Sequence, residues 1–169
     1  MRKFSIGLLM GLVLTAFAII PAMAQDSTNV ATLAAGGTIG NVNSTAAFTA
    51  GANSTINGYV TAVAAVTLGA GSTVANNVTA GAAFTSGDSA KINGSVSAKA
   101  AFTSGANSSI GGNVTVGADF TSGANSVIGG NVYVNGSVTL GAGSRVIGTV
   151  HSGAGVIIYG AGATIGSVN

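Results

Sequence analysis

Apolar residues recur along this chain at a spacing of 18. Val42, Val60, Val78, Val96, Val114, Val132, Val150 and Val168 form one such column. Val30, Phe48, Val66, Phe84, Phe102, Phe120, Val138 and Val156 form a second, and Ile56, Val74, Ile92, Ile110, Ile128 and Val146 a third. Inside each unit the pattern has period two. From Tyr59 to Leu68, positions 60, 62, 64, 66 and 68 carry Val, Ala, Ala, Val and Leu. This alternation puts successive side chains on opposite faces of a strand. The intervening columns hold Thr61, Lys99, Asp119 and Thr67, so charge falls on the outward face. A second short stretch turns Val74 inward and the column members Lys91 and Arg145 outward.

Two glycine columns punctuate the runs. One is Gly51, Gly69, Gly87, Gly105, Gly123 and Gly141; the other is Gly40, Gly58, Gly94, Gly112, Gly130, Gly148 and Gly166, with Asn76 in its gap. Both read as corners, with Asn standing in for Gly where the backbone dihedral φ turns positive. The units are rich in Gly, Ala, Ser, Thr, Asn and Val, a poor composition for helix. A strict short period with strand alternation predicts an all-β fold, a parallel β-helix (β-solenoid) of eight 18-residue coils with a triangular cross-section. The coils are 26–43, 44–61, 62–79, 80–97, 98–115, 116–133, 134–151 and 152–169. Eighteen residues at ~3.3 Å each give a perimeter of about 60 Å, and eight coils at ~4.8 Å give a rod about 38 Å long. The alanine columns imply close approach of opposing sides.

The first 24 residues follow different rules. Arg2 and Lys3 precede an apolar stretch from Phe4 to Ile20, Pro21 ends it, and Ala22-Met23-Ala24 is a small-x-small cleavage signal. A signal peptide over 1–24 is expected, with cleavage between Ala24 and Gln25 and a single solenoid domain over 25–169. The protein is then exported, to the periplasm, the cell surface or the medium. Arg2 and Lys3 supply the whole formal net charge of +2; beyond them Lys91, Lys99 and Arg145 balance Asp26, Asp88 and Asp119. No basic patch remains to hold a nucleic-acid backbone. The absence of cysteine excludes disulfides and thiolate metal sites.

Little chemistry can be built from what is left. The chain has three carboxylates and one histidine. Asp88 and Asp119 fall in different columns and coils, and His151 stands in an outward column with Thr61, Thr79, Ser97 and Thr115. The Gly-rich stretches recur once per coil and read as corners, not as phosphate cradles. No catalytic residue, cofactor, metal or small-molecule substrate is expected, and the protein reads as non-enzymatic. Function must then reside in the faces and ends of the rod.

Segments such as 137–150 (SVTLGAGSRVIGTV) and 110–114 (IGGNV) resemble the repeats of bactofilins, the polymer-forming β-helical proteins of bacteria. The resemblance covers residues 25–169, in what would be an exported variant, and it implies a β-helix that polymerises end to end. The two terminal coils depart from the consensus. They read VATLAAGGTI from Val30 to Ile39 and VIIYGAGATI from Val156 to Ile165. In each, a bulky residue (Leu33, Tyr159) stands where the first glycine column would continue, and the isoleucine (Ile39, Ile165) comes one position late. Val30, Leu33, Ile39, Val156, Ile157, Ile158, Tyr159 and Ile165 are therefore candidate docking residues for a second copy, because an open strand edge with apolar side chains templates another chain. A structural protein assembling into a filament or matrix is the leading expectation. Thr49, Thr67, Thr85, Thr103, Thr121 and Thr139 form an outward ladder. Such an uncharged hydroxyl-and-methyl array resembles the surfaces of β-solenoid ice-binding proteins, the alternative reading. A surface stalk or adhesin is a third.

Overall fold

The computed structural model describes residues 27–169. The expected signal peptide and the cleavage position at Ala24 and Gln25 lie outside the described residues.

Each regular coil contains three short strands, as in Val60–Ala62, Val66–Leu68 and Thr73–Val74. Each strand pairs in parallel with its counterpart one coil on, Val60 with Val78, Val66 with Phe84 and Thr73 with Lys91. The molecule is a three-sided parallel β-solenoid of about eight turns, with no helix among the described residues. The first face runs from Ser27–Thr28 up to Val132–Val134 and the second from Thr32–Leu33 up to Ile157–Tyr159. The third runs from Thr38–Ile39 up to Val127–Ile128. Near the C-terminal end, Arg145–Ser152 passes from the third face to the first without a break.

The inward columns form one continuous core. Val42, Phe48, Ile56, Val60, Val66 and Val74 begin it, and all are at most 1% exposed. Strand stacking forces like onto like: the ring of Phe102 lies 5.0 Å from that of Phe84 and 4.7 Å from that of Phe120, stacked at 18° and 12°.

The corners differ from the expectation in three respects. Tyr59–Leu68 is not one strand. It breaks at 63–65, where Val63 is exposed and Ala64 and Ala65 are half-buried. Ala64 is thus a corner residue, held by backbone bonds from its N–H to Ala46 O and to its own O from Ala82 N–H, each 3.2 Å. The first glycine column is needed for close approach. A Cβ on Gly69 would stand 2.5 Å from Ala52 N and 2.6 Å from the Gly51 carbonyl carbon, inside contact range of a backbone that cannot yield. Positive φ falls two residues later, at Asn53 (57°), Gly71 (68°), Ser89 (57°), Asn107 (57°), Asn125 (56°) and Gly143 (67°). Asn76 is not one of these positions.

Two polar columns satisfy the corners. Ser54, Ser72, Ser108, Ser126 and Ser144 are buried directly after the positive-φ residue. Their hydroxyls donate to corner carbonyls, Ser72 to Gly51 O at 3.0 Å and Ser144 to Gly123 O at 2.8 Å. At the corner leading back to the first face, the side-chain oxygen of one residue accepts from the backbone N–H of its counterpart in the next coil. Asn77 Oδ1 receives Ser95 N–H (2.8 Å), Ser95 Oγ receives Asn113 N–H (3.0 Å), and Asn113 Oδ1 receives Asn131 N–H (2.8 Å). No buried side-chain polar atom among the described residues lacks a partner.

Candidate interaction surfaces

The threonine column is assembled as expected. Thr49, Thr67, Thr85, Thr103, Thr121 and Thr139 are successive register partners on the second face. All are exposed except the half-buried Thr139. The second-face strands are three residues long with buried first and last positions, so each coil contributes a single outward side chain. The column is one residue wide. It extends further than the strict period implied: Thr32 pairs with Thr49 at its base, and Ile158 pairs with Thr139 at its top.

These pairings correct the reading of both end coils. Thr32 precedes its partner by 17 residues and Ile158 follows its partner by 19. The first coil is one residue short there and the last one residue long, so the two deviate in opposite senses. Val30 and Val156 do not continue the phenylalanine column; Ile157 pairs with Val138 in its place at the top. Leu33 and Tyr159 do not replace a corner glycine. They pair with the inward residues Ala50 and Leu140, and the corner itself is made by Ala34 and Gly160.

The candidate docking residues therefore fall into two groups. Val30, Leu33, Ile39, Ile157 and Ile165 are half-buried and pack against the ends of the core. Val156 (46%), Ile158 (54%) and Tyr159 (49%) are exposed, as are Ile147 and Val168 nearby. Among the described residues, Ile157–Tyr159 ends the second face, paired on one side only.

The two described aspartates each bind the backbone of the next coil. Asp88 Oδ1 accepts the N–H of Ala106 and Asp119 Oδ1 that of Ser137, both at 2.8 Å across adjacent coils. They lie at different corners, Asp88 between the second and third faces and Asp119 between the first and second. His151 is exposed and stacks beside Tyr133 in the outward column of the first face. Among the described residues no three His, Cys, Asp or Glu side chains gather into a cation site. Sequence reasoning missed the buried serine column, although Ser54, Ser72, Ser108, Ser126 and Ser144 share the 18-residue frame, with Ala90 in the one gap. Comparison with protein-family profiles, with curated proteins and with solved structures returns no match.

Proposed function

We propose that this chain is an exported, non-enzymatic structural protein that associates end to end as a rod-shaped unit of a filament or surface matrix. The observation that carries the reading is the C-terminal coil. There the strand Ile157–Tyr159 is paired on one side, beside the exposed apolar side chains of Val156, Ile158 and Tyr159. Unpaired strand edges with apolar groups recruit further strands. The bactofilin-like repeats support the same reading. Light scattering and electron microscopy of the full chain test it. The expected particles are longer than the ~38 Å of one rod, and their mass rises with concentration. A strictly monomeric species at high concentration would overturn it.

The threonine column supports a second reading, binding to an ice surface. Stacked strands space its hydroxyls and methyls at ~4.8 Å, flanked by alanine or glycine in most coils. The expected result is inhibition of ice recrystallisation that Thr103→Lys and Thr121→Lys each abolish. Inhibition insensitive to both changes would place the activity elsewhere.

A further inference from the structure

We propose that the first face carries a binding groove for a neutral, extended polysaccharide, a β-1,4-linked chain in which each sugar is turned over relative to the last. The groove lies on a side of the rod and does not depend on how the ends associate.

Two outward columns form it. The residue just before each first-face strand and the middle residue of that strand are two apart, so both side chains point outward. In three successive coils these pairs are Asn77 and Thr79, Ser95 and Ser97, and Asn113 and Thr115. Ser95 is half-buried and the other five are exposed. Together they line a shallow groove of about 320 Å³. On the second face the corresponding position holds Ala65, Ala83 and Ala101, so its threonines have no polar column beside them.

Hydrogen bonding along the corner fixes which way the asparagines face. Asn77 Oδ1 accepts the N–H of Ser95, and Asn113 Oδ1 accepts that of Asn131, both at 2.8 Å. The carbonyl end of each amide is thereby committed to the rod. Among the described residues Nδ2 of Asn77 and of Asn113 has no acceptor, and it is left to donate outward. These donors stand two coils apart, about 9.6 Å. Between them Ser95 Oγ accepts the N–H of Asn113 at 3.0 Å and keeps its own proton to donate. Thr79, Ser97 and Thr115 are register partners and add a parallel row of hydroxyls.

A tyrosine closes each end of the row. Tyr59 belongs to the corner column, one coil below Asn77, and its hydroxyl accepts from Asn43 Nδ2 in the face column at 3.1 Å. Tyr133 belongs to the face column, one coil above Thr115, and its hydroxyl accepts from Asn131 Nδ2 in the corner column at 3.3 Å. Each ring is thus drawn across the line of the groove. The two are four coils apart, about 19 Å.

These features select the ligand. None of the six lining residues is charged. Of the charged residues in the three coils, Asp88 and Lys91 lie on other sides and Lys99 borders the face alone, so a polyanion finds no matching row. A peptide strand finds no edge, because Val78–Ala80 is already paired on both sides. What remains is a row of donors and hydroxyls repeating every coil, with an aromatic ring at each end. One coil advances ~4.8 Å, close to the length of one sugar in an extended chain. Alternate sugars of a β-1,4 chain present the same edge, which matches asparagine donors on alternate coils. The tyrosine rings offer apolar surface to the C–H faces of the outer sugars. A single exposed hydrogen bond contributes little in water, so the site holds a chain and not a lone sugar.

Nuclear magnetic resonance titration of the full chain tests this. The probes are the β-1,4-linked hexamers of glucose and of N-acetylglucosamine, with the α-1,4-linked glucose hexamer and free glucose as comparisons. One or both β-linked hexamers are expected to bind saturably and to shift the side-chain amide signals of Asn77 and Asn113; the comparisons are not. Asn77→Asp and Asn113→Asp retain the accepting oxygen, a role that Asp88 and Asp119 fill elsewhere in the rod, and remove the outward donor. Together they should weaken binding at least tenfold, as should Tyr133→Ala, while circular dichroism stays unchanged. Val127→Lys, on the third face, should leave binding intact. No shift with either β-linked hexamer would overturn the proposal. So would binding that survives both the asparagine and the tyrosine changes, or equal binding of the α-linked hexamer.

Discussion

Phe102→Ala is expected to destabilise the rod by about 3–5 kcal/mol, the usual cost of emptying a large buried aromatic site. The ring is 1% exposed and lies between Phe84 and Phe120 at centroid distances of 5.0 and 4.7 Å. Both stacking contacts vanish with it, each worth about 0.5–1.5 kcal/mol beyond burial. The cavity cannot collapse readily, because strand pairing above and below fixes the coil spacing. Urea unfolding would measure the loss. Its distribution is as informative as its size, since solenoid coils are stabilised chiefly by their neighbours. Hydrogen exchange should lose protection most in Phe84–Ser86, Phe102–Ser104 and Phe120–Ser122, and least in Phe48–Ala50, two coils beyond Phe84. An even loss along the whole rod would contradict this nearest-neighbour account.

Gly69→Ala is expected to be nearly as damaging, at about 3 kcal/mol, although it adds one methyl group at a surface corner. The methyl would stand 2.5 Å from Ala52 N and 2.8 Å from Ala52 Cα. Those are backbone atoms of a coil held by its own pairing, so relief requires the two coils to separate locally. Gly69→Val should prevent folding. Gly36→Ala is the matched control. Gly36 has φ +69° with nothing within 4 Å of an added Cβ. Its cost is only the left-handed backbone penalty, about 1–2 kcal/mol. Thermal unfolding of the pair separates crowding from backbone conformation. Equal losses would mean that coil contact is not what the glycine column serves.

The same distinction explains why some features were legible in the sequence and others were not. The threonine column was legible from Thr49 to Thr139 because a constant spacing of 18 and strand alternation suffice to align it. Its base at Thr32 and its top at Ile158 were not, because a fixed period cannot register one residue lost in the first coil and one gained in the last. The late arrival of Ile39 and Ile165 was the available signal. The same one-position delay brings Ile39 within 17 residues of Ile56 but carries Ile165 to 19 from Val146. Ala64 was misplaced for a related reason. An alternating run continues smoothly through a corner when the corner residues are small, and alanine is consistent with either position.

By itself the sequence determined the repeat, the all-β solenoid, the identity of most inward columns and the outward threonine column. All of these follow from side-chain burial, which a hydrophobic period records directly. Only the tertiary structure decided which glycines answer crowding and which corner residues take positive φ, which serines close the corners, and how the end coils are registered. Those properties arise between residues one coil apart, through backbone atoms that every residue type shares. Backbone-to-backbone contact leaves no mark on hydropathy. It appears in the sequence only as a glycine that must be there and, at Ala34, as one that is not.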